Sequence, residues 1–562
     1  MSLTPSAHAD TFARDNLPPK ELWPKLEFPL PELRYPERLN AAAALLDETI
    51  ERLGADRIAI RMLSPGSDDG PARDGETWTY GELRRRVDRL ARLLVEDHGL
   101  LPGNRVLLRI PNNPWVIACW LAVVKAGGVV VTTMVAWRGA ELQKVADRVR
   151  PRIVIVDHRF REELKGLAEP GTRVLVLGGA DDEVIGASAA KRDGFEAVGT
   201  AADDVALLGP TSGTTGQPKI TMHFHRDVLA LADTFARHVL RFEPDDVVAG
   251  SPPIAFTFGL GGLMVFPLRF GASVVLMERS SPAALADAVE RFGVTVLFTA
   301  PTGYRAMLSE GRAESLRRLR IGVSAGEHLP ASTWRAVEQA SGLRLVDGIG
   351  ATEMLHVFIS ASGEEIRPGS TGRAVPGFRA AILDEEGRRL PPGTPGRLAV
   401  VGPVGCRYLD DERQSSYVQH GWNITGDTYH MDEDGYFHYH ARSDDMIVAS
   451  GYNVAGPEVE AAIDAHPAVA ESCVVGRPDP EKGAIVNAFV VLHDGTSADD
   501  ATRESILGHL RTVLASYKLP RRIDFVASLP RNASGKLMRF LLRERAEAEA
   551  AAQYRQIEQR HG

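Results

Sequence analysis

A nine-residue stretch rich in hydroxyl groups and glycine has the clearest chemical signature in the chain. It reads Thr211-Ser-Gly-Thr-Thr-Gly-Gln-Pro-Lys219. Its four hydroxyl side chains can donate hydrogen bonds to an anion, and its two glycines allow successive backbone N–H groups to turn toward the same oxygen atoms. The apolar run just before it, residues 204–210, predicts a buried strand that leads into the loop, as in nucleotide-binding α/β proteins. The stretch therefore predicts a phosphate-binding loop.

Two other interpretations of this stretch are weaker. Gly, Ser and Thr also compose flexible surface loops, but such loops rarely end in Pro-Lys directly before an apolar segment. A Walker A loop requires G-x-x-x-x-G-K-[ST], whereas Gly216 is followed here by Gln217 and Pro218, and no hydroxyl residue follows Lys219. A P-loop nucleotide hydrolase is therefore disfavoured.

Apolar strand-like runs alternate with helical patterns through residues 40–440. This alternation predicts the strands and helices that must position the loop. Such alternation indicates parallel sheets covered by helices, with ligands at the carboxyl ends of the strands. The clearest strand-like runs are residues 105–110, 153–156, 273–277 and 295–298.

The chain is too long for one hydrophobic core, so two or three domains are expected. We predict an α/β fold: a large N-terminal domain, residues 1–441, that includes a β subdomain at 379–440, and a small mobile α+β domain at 442–545. The last residues, 546–562, are rich in Ala, Glu, Gln and Arg and predict a frayed helix or a disordered tail.

Composition excludes several classes of function. A net charge of −9 argues against a nucleic-acid partner, which would require clustered Lys and Arg. The three cysteines stand far apart, so no disulfide framework is expected. The first residues lack the basic and apolar regions of a secretory signal. The most membrane-like run, 116–134, contains Lys125 and Gly127-Gly128, which indicates a buried helix followed by a strand. We expect a cytoplasmic protein, monomer or homodimer, that has no membrane partner.

Two pairs of histidines are candidate metal ligands, because imidazole commonly binds metal ions. The pairs His223-x-His225 and His438-x-His440 would each place two rings on one face of a strand. Neither pair has a third ligand at suitable spacing, so zinc is disfavoured. His223 is instead expected to line a substrate pocket or to support the phosphate loop.

Four further segments follow the loop in the chain. They are Gly348-Ile-Gly-Ala-Thr-Glu353, Trp422-Asn-Ile-Thr-Gly-Asp427, Ala441-Arg-Ser-Asp-Asp-Met-Ile447 and Pro530-Arg-Asn-Ala-Ser-Gly-Lys536. Together with the loop they resemble the motifs of the adenylate-forming superfamily, which contains acyl- and aryl-CoA synthetases, luciferases and peptide-synthetase adenylation domains. The resemblance implies that ATP, Mg²⁺ and coenzyme A are used to activate a carboxylate as an acyl adenylate and then form a thioester.

The resemblance also assigns roles to single residues. The resemblance makes Lys536, Thr352, Glu353 and Arg442 the catalytic residues. Lys536 would be the mobile cation of the adenylation step, Glu353, which follows Thr352, would hold Mg²⁺, and Arg442 would be a cation near the ribose and phosphates. Asp427 would bind the ribose hydroxyls. ATP and CoA would be bound by Thr211, Ser212, Gly213, Thr214, Thr215, Gly216, Lys219, Ala325, Gly326, Glu327, Asp347, Gly348, Ile349, Thr352, Asp427, Arg442 and Gly451.

Without the resemblance, these residues have simpler interpretations. Glu353 could be a helix N-terminal charge behind a Thr cap, Asp427 a turn former, and Lys536 an ordinary exposed lysine. The resemblance further makes Asp444 the hinge between two orientations of the small domain, and Gly451 part of the pantetheine tunnel.

The chain departs from the superfamily pattern at two positions. Ile220 replaces the glycine that commonly follows Pro-Lys219, and Val448 replaces a frequent lysine. The second change removes one cation near the substrate carboxylate, so more of the electrostatic work is expected from Lys536.

The segments that shape the acyl pocket in the superfamily are rich in aromatic and small residues here. A slot walled by glycine peptide planes suits a planar ring better than an alkyl chain, and these segments resemble benzoate-CoA ligases and, with the N-terminal segment, 2-aminobenzoate-CoA ligases. Thr257 and His356 are expected at a polar rim. The predicted substrate residues are His223, Phe256, Thr257, Phe258, Ala300, Gly348, Gly350 and His356.

The predicted activity is therefore an ATP-dependent ligase that joins a benzoate-type acid to CoA. Alternatives are a synthetase for medium-chain acids and a stand-alone adenylation enzyme that loads a carrier protein, although few residues follow Lys536 for an appended carrier domain. A catalytically silent scaffold would be expected to lack Glu353, Asp427, Arg442 or Lys536, and all four are present.

Overall fold

The structure is a computed structural model that describes residues 3–64, 73–164, 171–211, 218–442, 445–449, 452–479, 483–514, 516–532 and 537–561. The strands in this part of the chain are, in order, β1 (Ile58–Ser64), β2 (Arg73–Thr79), β3 (Arg105–Arg109), β4 (Val129–Thr132), β5 (Ile153–Asp157), β6 (Arg173–Leu177), β7 (Val205–Thr211), β8 (Lys219–Phe224), β9 (Val247–Gly250), β10 (Ser273–Leu276), β11 (Val296–Thr299), β12 (Ile321–Ser324), β13 (Val346–Gly350), β14 (Val357–Ser360), β15 (Arg373–Ala374), β16 (Arg379–Leu383), β17 (Gly396–Val401), β18 (Val418–Gln419), β19 (Trp422–Met431), β20 (Phe437–Arg442), β21 (Met446–Ala449), β22 (Tyr452–Ala455), β23 (Val469–Asp479), β24 (Gly483–Leu492) and β25 (Arg522–Phe525).

The α-helices of the described residues are, in order, α1 (Phe12–Asp15), α2 (Glu48–Leu53), α3 (Tyr80–Arg92), α4 (Pro114–Lys125), α5 (Gly139–Val149), α6 (Ile185–Ala189), α7 (His225–Leu231), α8 (Thr257–Leu260), α9 (Phe266–Phe270), α10 (Pro282–Phe292), α11 (Pro301–Ser309), α12 (Ala313–Arg317), α13 (Ala331–Ser341), α14 (Gln414–Tyr417), α15 (Gly456–Asp464), α16 (Asp500–Val513) and α17 (Arg539–His561). Wider π-helical turns adjoin several of them, at Ala43–Asp47, Leu93–Asp97, Ala232–Leu240 and Gly261–Val265.

The two largest sheets of the described chain are mainly parallel. One has the order β6-β5-β3-β4-β7-β8, in which only β8 runs antiparallel to its neighbour. The other has the order β15-β14-β13-β12-β11-β9-β10-β1-β2, in which β1 and β9 to β13 are parallel and the edge strands are antiparallel. The central strands are short, mainly apolar and buried on both faces, which is typical of parallel sheets between helices. The α/β fold predicted from the sequence is confirmed.

The chain divides into two compact units. The first contains residues 1–329, 333–380 and 399–424, and the second contains 330–332, 381–398 and 425–562. Within the second unit, the three-stranded sheet β23-β24-β25 packs with α15 and α16 around an apolar core that includes Val459, Val474 and Leu510. The predicted boundary at residue 442 remains a proposal. The predicted tail lies within α17 as far as His561.

The run that looked membrane-like forms the predicted helix and strand. Helix α4 ends at Lys125, and β4 begins four residues later at Val129, after Gly127 adopts a left-handed conformation at φ 77°. Among the described residues, no helix combines the length and the apolar composition that are needed to cross a bilayer.

Lys125 is a buried charge at the end of α4, and its neighbours explain how it is tolerated. The Nζ atom lies 2.6 Å from Asp88 Oδ1 and 2.8 Å from Asp47 Oδ2, and its side chain is only 3% exposed. Burial raises the pKa of Asp88, so this carboxylate depends on the lysine to remain charged.

We predict that Lys125→Met lowers the free energy of unfolding by about 3–5 kcal/mol, because Asp88 is left buried and unpaired. Lys125→Met/Asp88→Asn is expected to recover most of that loss, as measured by urea denaturation. Equal losses in the single and the double variant would show that pairing with Asp88 is not the reason for the cost.

Candidate active site

The predicted phosphate loop connects two antiparallel strands. Thr211 at the end of β7 lies opposite Lys219 at the start of β8, so the strand that was predicted to lead into the loop is confirmed. The loop residues Ser212, Gly213, Thr214, Thr215 and Gly216 lie outside the described residues, whereas Thr211, Pro218 and Lys219 are described.

Strand β8 presents two different faces because side chains alternate along a strand. Ile220, Met222 and Phe224 belong to an apolar core cluster. Lys219 and His223 lie at the alternate positions, with Thr221 between them. The alternation of apolar and polar residues in the sequence therefore determines which groups β8 directs away from that cluster.

A segment that is distant in sequence extends this sheet. Met222 N donates to the carbonyl of Arg407 at 2.7 Å, and Leu409 N donates to the carbonyl of Ile220 at 2.9 Å. These bonds place Tyr408 opposite Thr221 in an antiparallel bridge. Tyr408 therefore lies on the same face of the strand pair as Lys219 and His223.

The Thr-Glu motif packs against this polar face. Thr352 and Glu353 form a 3-10 turn, Thr352–Met354, after β13. His223 Nε2 lies 2.8 Å from the carbonyl oxygen of Thr352 and 3.0 Å from Thr221 Oγ1. Gly209 leaves space for this contact, since a Cβ atom there would approach Thr352 Cγ2 to 3.1 Å.

Tyr408 lies between two charged residues. Its hydroxyl donates to Glu353 Oε1 at 2.5 Å, and Lys219 Nζ donates to the Tyr408 hydroxyl at 3.3 Å. Both Lys219 and Glu353 were predicted site residues, but Tyr408 was not. Arg407 directly precedes Tyr408 and Asp410 follows two residues later, so the local sequence gives no sign that this tyrosine is buried.

Burial determines the protonation of this network. Desolvation and the charge of Glu353 raise the pKa of Tyr408 far above its usual range, so the phenol stays protonated and donates. Desolvation, with a smaller contribution from Arg407, lowers the pKa of His223 to about 3. His223 is therefore neutral, and its Nε2 carries the proton because the Thr352 carbonyl can only accept.

A buried ion pair lies next to the hydrogen-bond network of Tyr408 and His223. The guanidinium of Arg407 pairs with Asp227, and both side chains are fully buried. The guanidinium centre also lies 3.9 Å from the ring centroid of Phe224 and 5.6 Å from that of Trp23. Asp227 in turn accepts from the backbone N–H of Phe224 at 3.0 Å, which fixes the end of β8.

The substrate residues predicted near the parallel strands lie at adjacent strand ends. Thr299 of β11 is in register with Ser324 of β12, which is in register with Asp347 of β13. The residues that follow these positions are Ala300, Ala325 and Gly348. The structure therefore brings three predicted residues together at the carboxyl edge of the larger sheet.

The neighbouring predicted residues occupy the same edge. Gly326 has φ 88° and is followed by Glu327, while Ile349 and Gly350 belong to β13. A Cβ atom at Gly350 would lie 2.8 Å from the carbonyl oxygen of His356, so this close backbone approach requires glycine. Burial raises the pKa of Asp347 well above its usual value.

His356 does not lie at the predicted polar rim. It is 3% exposed, and its ring centroid lies 4.7 Å from that of Phe266, 5.5 Å from Phe235 and 5.9 Å from Phe258. The cause is the preceding residue, Leu355, whose left-handed φ of 65° turns the chain inward. For a residue other than glycine such a conformation costs on the order of 1–3 kcal/mol.

Helix α8 follows Phe256, which is its N-terminal flanking residue, and begins with Thr257. Phe256, Thr257 and Phe258 are half-buried. Phe258 contacts both His356 and Phe298 with its ring. Phe258 is thus part of the aromatic cluster, and Thr257 is a polar residue next to it.

Asp427 and Arg442 pair within the second unit. They lie opposite each other on β19 and β20, and an Arg442 guanidinium nitrogen donates to Asp427 Oδ1 at 3.1 Å. Asp427 is therefore in the middle of a strand and not in a turn, and its side chain is 9% exposed compared with 48% for Arg442. The predicted hinge, tunnel and catalytic residues Asp444, Gly451 and Lys536 lie outside the described residues, and Val448 lies in β21.

The histidine pairs differ from expectation in one respect. His223 belongs to β8, but His225 begins α7 and accepts a hydrogen bond from Ala41 N at 3.1 Å. The predicted common strand face is wrong for this pair because β8 ends at Phe224. His438 and His440 do lie on one strand, β20.

The described residues offer a metal ion few protein ligands. They contain no group of three or more His, Cys, Asp or Glu side chains that could hold a metal ion. Glu353 fits Mg²⁺ in a different way, since Mg²⁺ with phosphate oxygens usually takes only one or two carboxylates.

Comparison with known proteins decides the family. A model described as AMP-binding enzyme matches residues 46–407, and one described as AMP-binding enzyme C-terminal domain matches residues 458–536. The chain belongs to the AMP-binding enzyme family. The resemblance to adenylate-forming enzymes is thereby confirmed.

Relatives and solved structures of this family cover most of the chain. A benzoate-CoA ligase of Thauera aromatica is 34% identical over 523 residues, which are 91% of this chain and 97% of that protein. A 3-hydroxybenzoate-CoA ligase of Aromatoleum sp. (strain CIB) is 32% identical and covers 87% of this chain and 96% of its own. The anthranilate CoA ligase AuaEII in complex with anthranoyl-AMP has a TM-score of 0.86 at 31% identity, covering 93% of this chain and 100% of that chain.

Burial of His356 makes an observable prediction about pH. Desolvation lowers the pKa of His356 from 6.5 to about 3 in the folded protein, with a small opposing effect from the backbone of Phe258. As the pH falls below 6.5, the unfolded chain gains a proton that the folded protein does not bind, so stability is lost with acidification. The loss approaches about 1.4 kcal/mol per pH unit for one group.

We therefore predict that His356→Phe reduces the acid-induced fall in the free energy of unfolding by about 1 kcal/mol per pH unit between about pH 6 and pH 5. The control is Phe266→Leu, which loosens the same cluster without removing an imidazole and should lower stability equally at both pH values. Identical pH dependence in wild type and His356→Phe would contradict the buried neutral histidine.

Proposed function

We propose that the protein is an ATP-dependent aromatic acid-CoA ligase. It activates a benzoate-type carboxylate as an aryl adenylate with release of pyrophosphate, and then forms the aryl-CoA thioester and AMP. One observation carries the proposal: Glu353 is linked to Lys219 of the predicted phosphate loop, and His356, three residues further, lies among aromatic rings. The turn that bears Glu353 therefore connects the end of the predicted phosphate loop with a cluster of aromatic rings, which is the kind of lining that favours a planar ring.

We assign a separate role in the adenylation step to each of several residues. The hydroxyl and N–H groups of the loop that ends at Lys219 would hold the triphosphate. Glu353 would hold Mg²⁺, which would neutralise charge on the phosphate oxygens. Asp427 accepts from the ribose hydroxyls, and Arg442 lies beside it. Lys536 acts near the carboxylate and the α-phosphate, where charge develops in the transition state.

The resemblance supports a separate set of residues for the second half-reaction. Lys536 would act only during adenylation, and Gly451 would leave room for pantetheine only during thioester formation. Asp444 would absorb the backbone rotation between the two states. The two chemical steps should therefore be separable by mutation.

We predict that Lys536→Ala lowers the rate of adenylate formation by at least about 100-fold, as for removal of other preorganised transition-state donors. Thioester formation from a supplied aryl adenylate and CoA should remain near that of wild type. Gly451→Trp is the reciprocal control, in which pyrophosphate release persists while aryl-CoA formation is blocked. If Lys536→Ala impaired both steps equally, two separate sets of residues would be the wrong description.

The nature of the acid is the finer part of the proposal. The aromatic cluster, the glycines at 348 and 350 and the half-buried Thr257 favour a planar ring with a polar substituent, such as 2-aminobenzoate. The test is a pyrophosphate-release screen over benzoate, its 2-amino, 2-hydroxy and 3-hydroxy derivatives, hexanoate and octanoate. A preference for the two alkyl acids would overturn the aromatic substrate and leave a medium-chain synthetase. Pyrophosphate release without aryl-CoA formation would indicate loading of a carrier protein.

We predict that Thr257→Val lowers kcat/KM for 2-aminobenzoate more than for benzoate, because the hydroxyl would pair with the ring amine. A site that pairs with a substrate donor rejects the analogue without it by several kcal/mol, whereas one apolar group contributes only about 1–3 kcal/mol. Steady-state kinetics on both acids measure the difference. Equal losses on the two acids would assign Thr257 a purely steric role.

A further inference from the structure

We propose that Tyr408 is a positioning residue that holds Lys219 and Glu353 apart and keeps each available for Mg·ATP. The inference rests on the proposed function, in which Lys219 faces the phosphates and Glu353 holds the metal. Nothing in the sequence pattern assigns Tyr408 a role, and its contacts carry the argument.

The hydroxyl of Tyr408 forms hydrogen bonds with both Lys219 and Glu353. It donates its single proton to Glu353 Oε1 and accepts one from Lys219 Nζ. Among the contacts of the described residues, Lys219 and Glu353 form no ion pair with each other. Lys219 therefore keeps two N–H donors for phosphate oxygens, and Glu353 keeps Oε2 for a metal ion.

The alternative arrangement would obstruct the site. A lysine and a glutamate that are close together in a partly buried site attract each other strongly, because the local dielectric is lower than that of water. A direct pair would neutralise both groups and occupy the carboxylate. Tyr408 replaces that pair with a phenol that donates to Glu353 and accepts from Lys219.

The backbone around Tyr408 cannot shift easily. Its N–H donates to Gln414 Oε1 at 2.8 Å, and the flanking residues pair with β8. Its ring is fully buried and meets the ring of Tyr417 edge on, with centroids 5.8 Å apart. The position of the hydroxyl is therefore determined by the sheet and not by Glu353.

Arg148 of α5 connects this segment to the phosphate loop. One of its guanidinium nitrogens donates to the carbonyl of Pro218 at 2.5 Å, and the other donates to the carbonyl of Leu409 at 2.5 Å. Pro218 directly precedes Lys219, and Leu409 directly follows Tyr408. The donor and the acceptor of the Lys219–Tyr408 hydrogen bond are thus held by one side chain.

The experiment compares ATP binding with Mg²⁺ and with EDTA by isothermal titration calorimetry, in the absence of an acid substrate. In wild type, Mg²⁺ is expected to tighten ATP binding. In Tyr408→Phe, Lys219 can pair directly with Glu353, and this tightening should fall about 10-fold, as for loss of a hydrogen bond to a charged group. Because the ratio is taken within each variant, a general loss of stability does not produce the effect.

Two further variants separate positioning from packing. Tyr417→Phe removes the neighbouring buried phenol oxygen and should leave the Mg²⁺ effect on ATP binding unchanged. In a Glu353→Gln background, Tyr408→Phe should change the effect of Mg²⁺ on ATP binding by less than about 2-fold, since the carboxylate that Tyr408 keeps available for the metal is absent.

The outcomes distinguish this inference from the proposed function. If wild type bound ATP no more tightly with Mg²⁺ than with EDTA, the assignment of Glu353 itself would fail. If wild type responded to Mg²⁺ and Tyr408→Phe retained the full response, only the role of Tyr408 would be wrong. An equal loss in Tyr417→Phe would likewise reduce Tyr408 to a packing residue.

Discussion

The candidate site depends on the hydrogen bonds between β8 and residues 407–409. These bonds join parts of the chain that are about 185 residues apart, and they set the register of Tyr408 against Thr221. Since side chains alternate in a strand, this register determines that Tyr408 shares a face with Lys219. A slip by one residue would place Arg407 there instead and would put a second cation beside Lys219.

The polar side chains that this register brings together are buried, so their hydrogen bonds and ion pairs stabilise the arrangement. His223, Asp227 and Arg407 are fully buried, and each is costly to leave without a partner. The partners are found on both faces of β8: Arg407 pairs with Asp227 on one side, and His223 reaches the Thr352 carbonyl on the other. The short turn that bears Glu353 is therefore held through its backbone by His223, and the Glu353 side chain accepts from Tyr408.

The aromatic cluster around His356 depends on the backbone conformation of Leu355 and on the absence of a side chain at Gly261. Leu355 adopts a left-handed conformation that is unusual for leucine, and this directs His356 inward. Glycine accommodates the ring, since a Cβ atom at Gly261 would approach His356 Cδ2 to 2.3 Å. The result is a neutral imidazole buried among phenylalanine rings.

The sequence by itself determined the class of fold, the family and the identity of most candidate residues. Alternating apolar runs predict parallel strands from local periodicity, and the loop at 211–219 and the Thr352–Glu353 motif depend on residue types at short spacing. Such features are local, so they can be recognised without coordinates.

The tertiary structure alone decided how these residues combine. The sequence contains no sign that Tyr408 lies between Lys219 and Glu353, because pairing between distant strands depends on the packing of the whole sheet. It also predicted a polar rim for His356, because the left-handed conformation of Leu355, which precedes the buried His356, has no local signal. Partners of buried polar groups are chosen by three-dimensional proximity, and the physical cost of leaving them unpaired is what makes that choice specific.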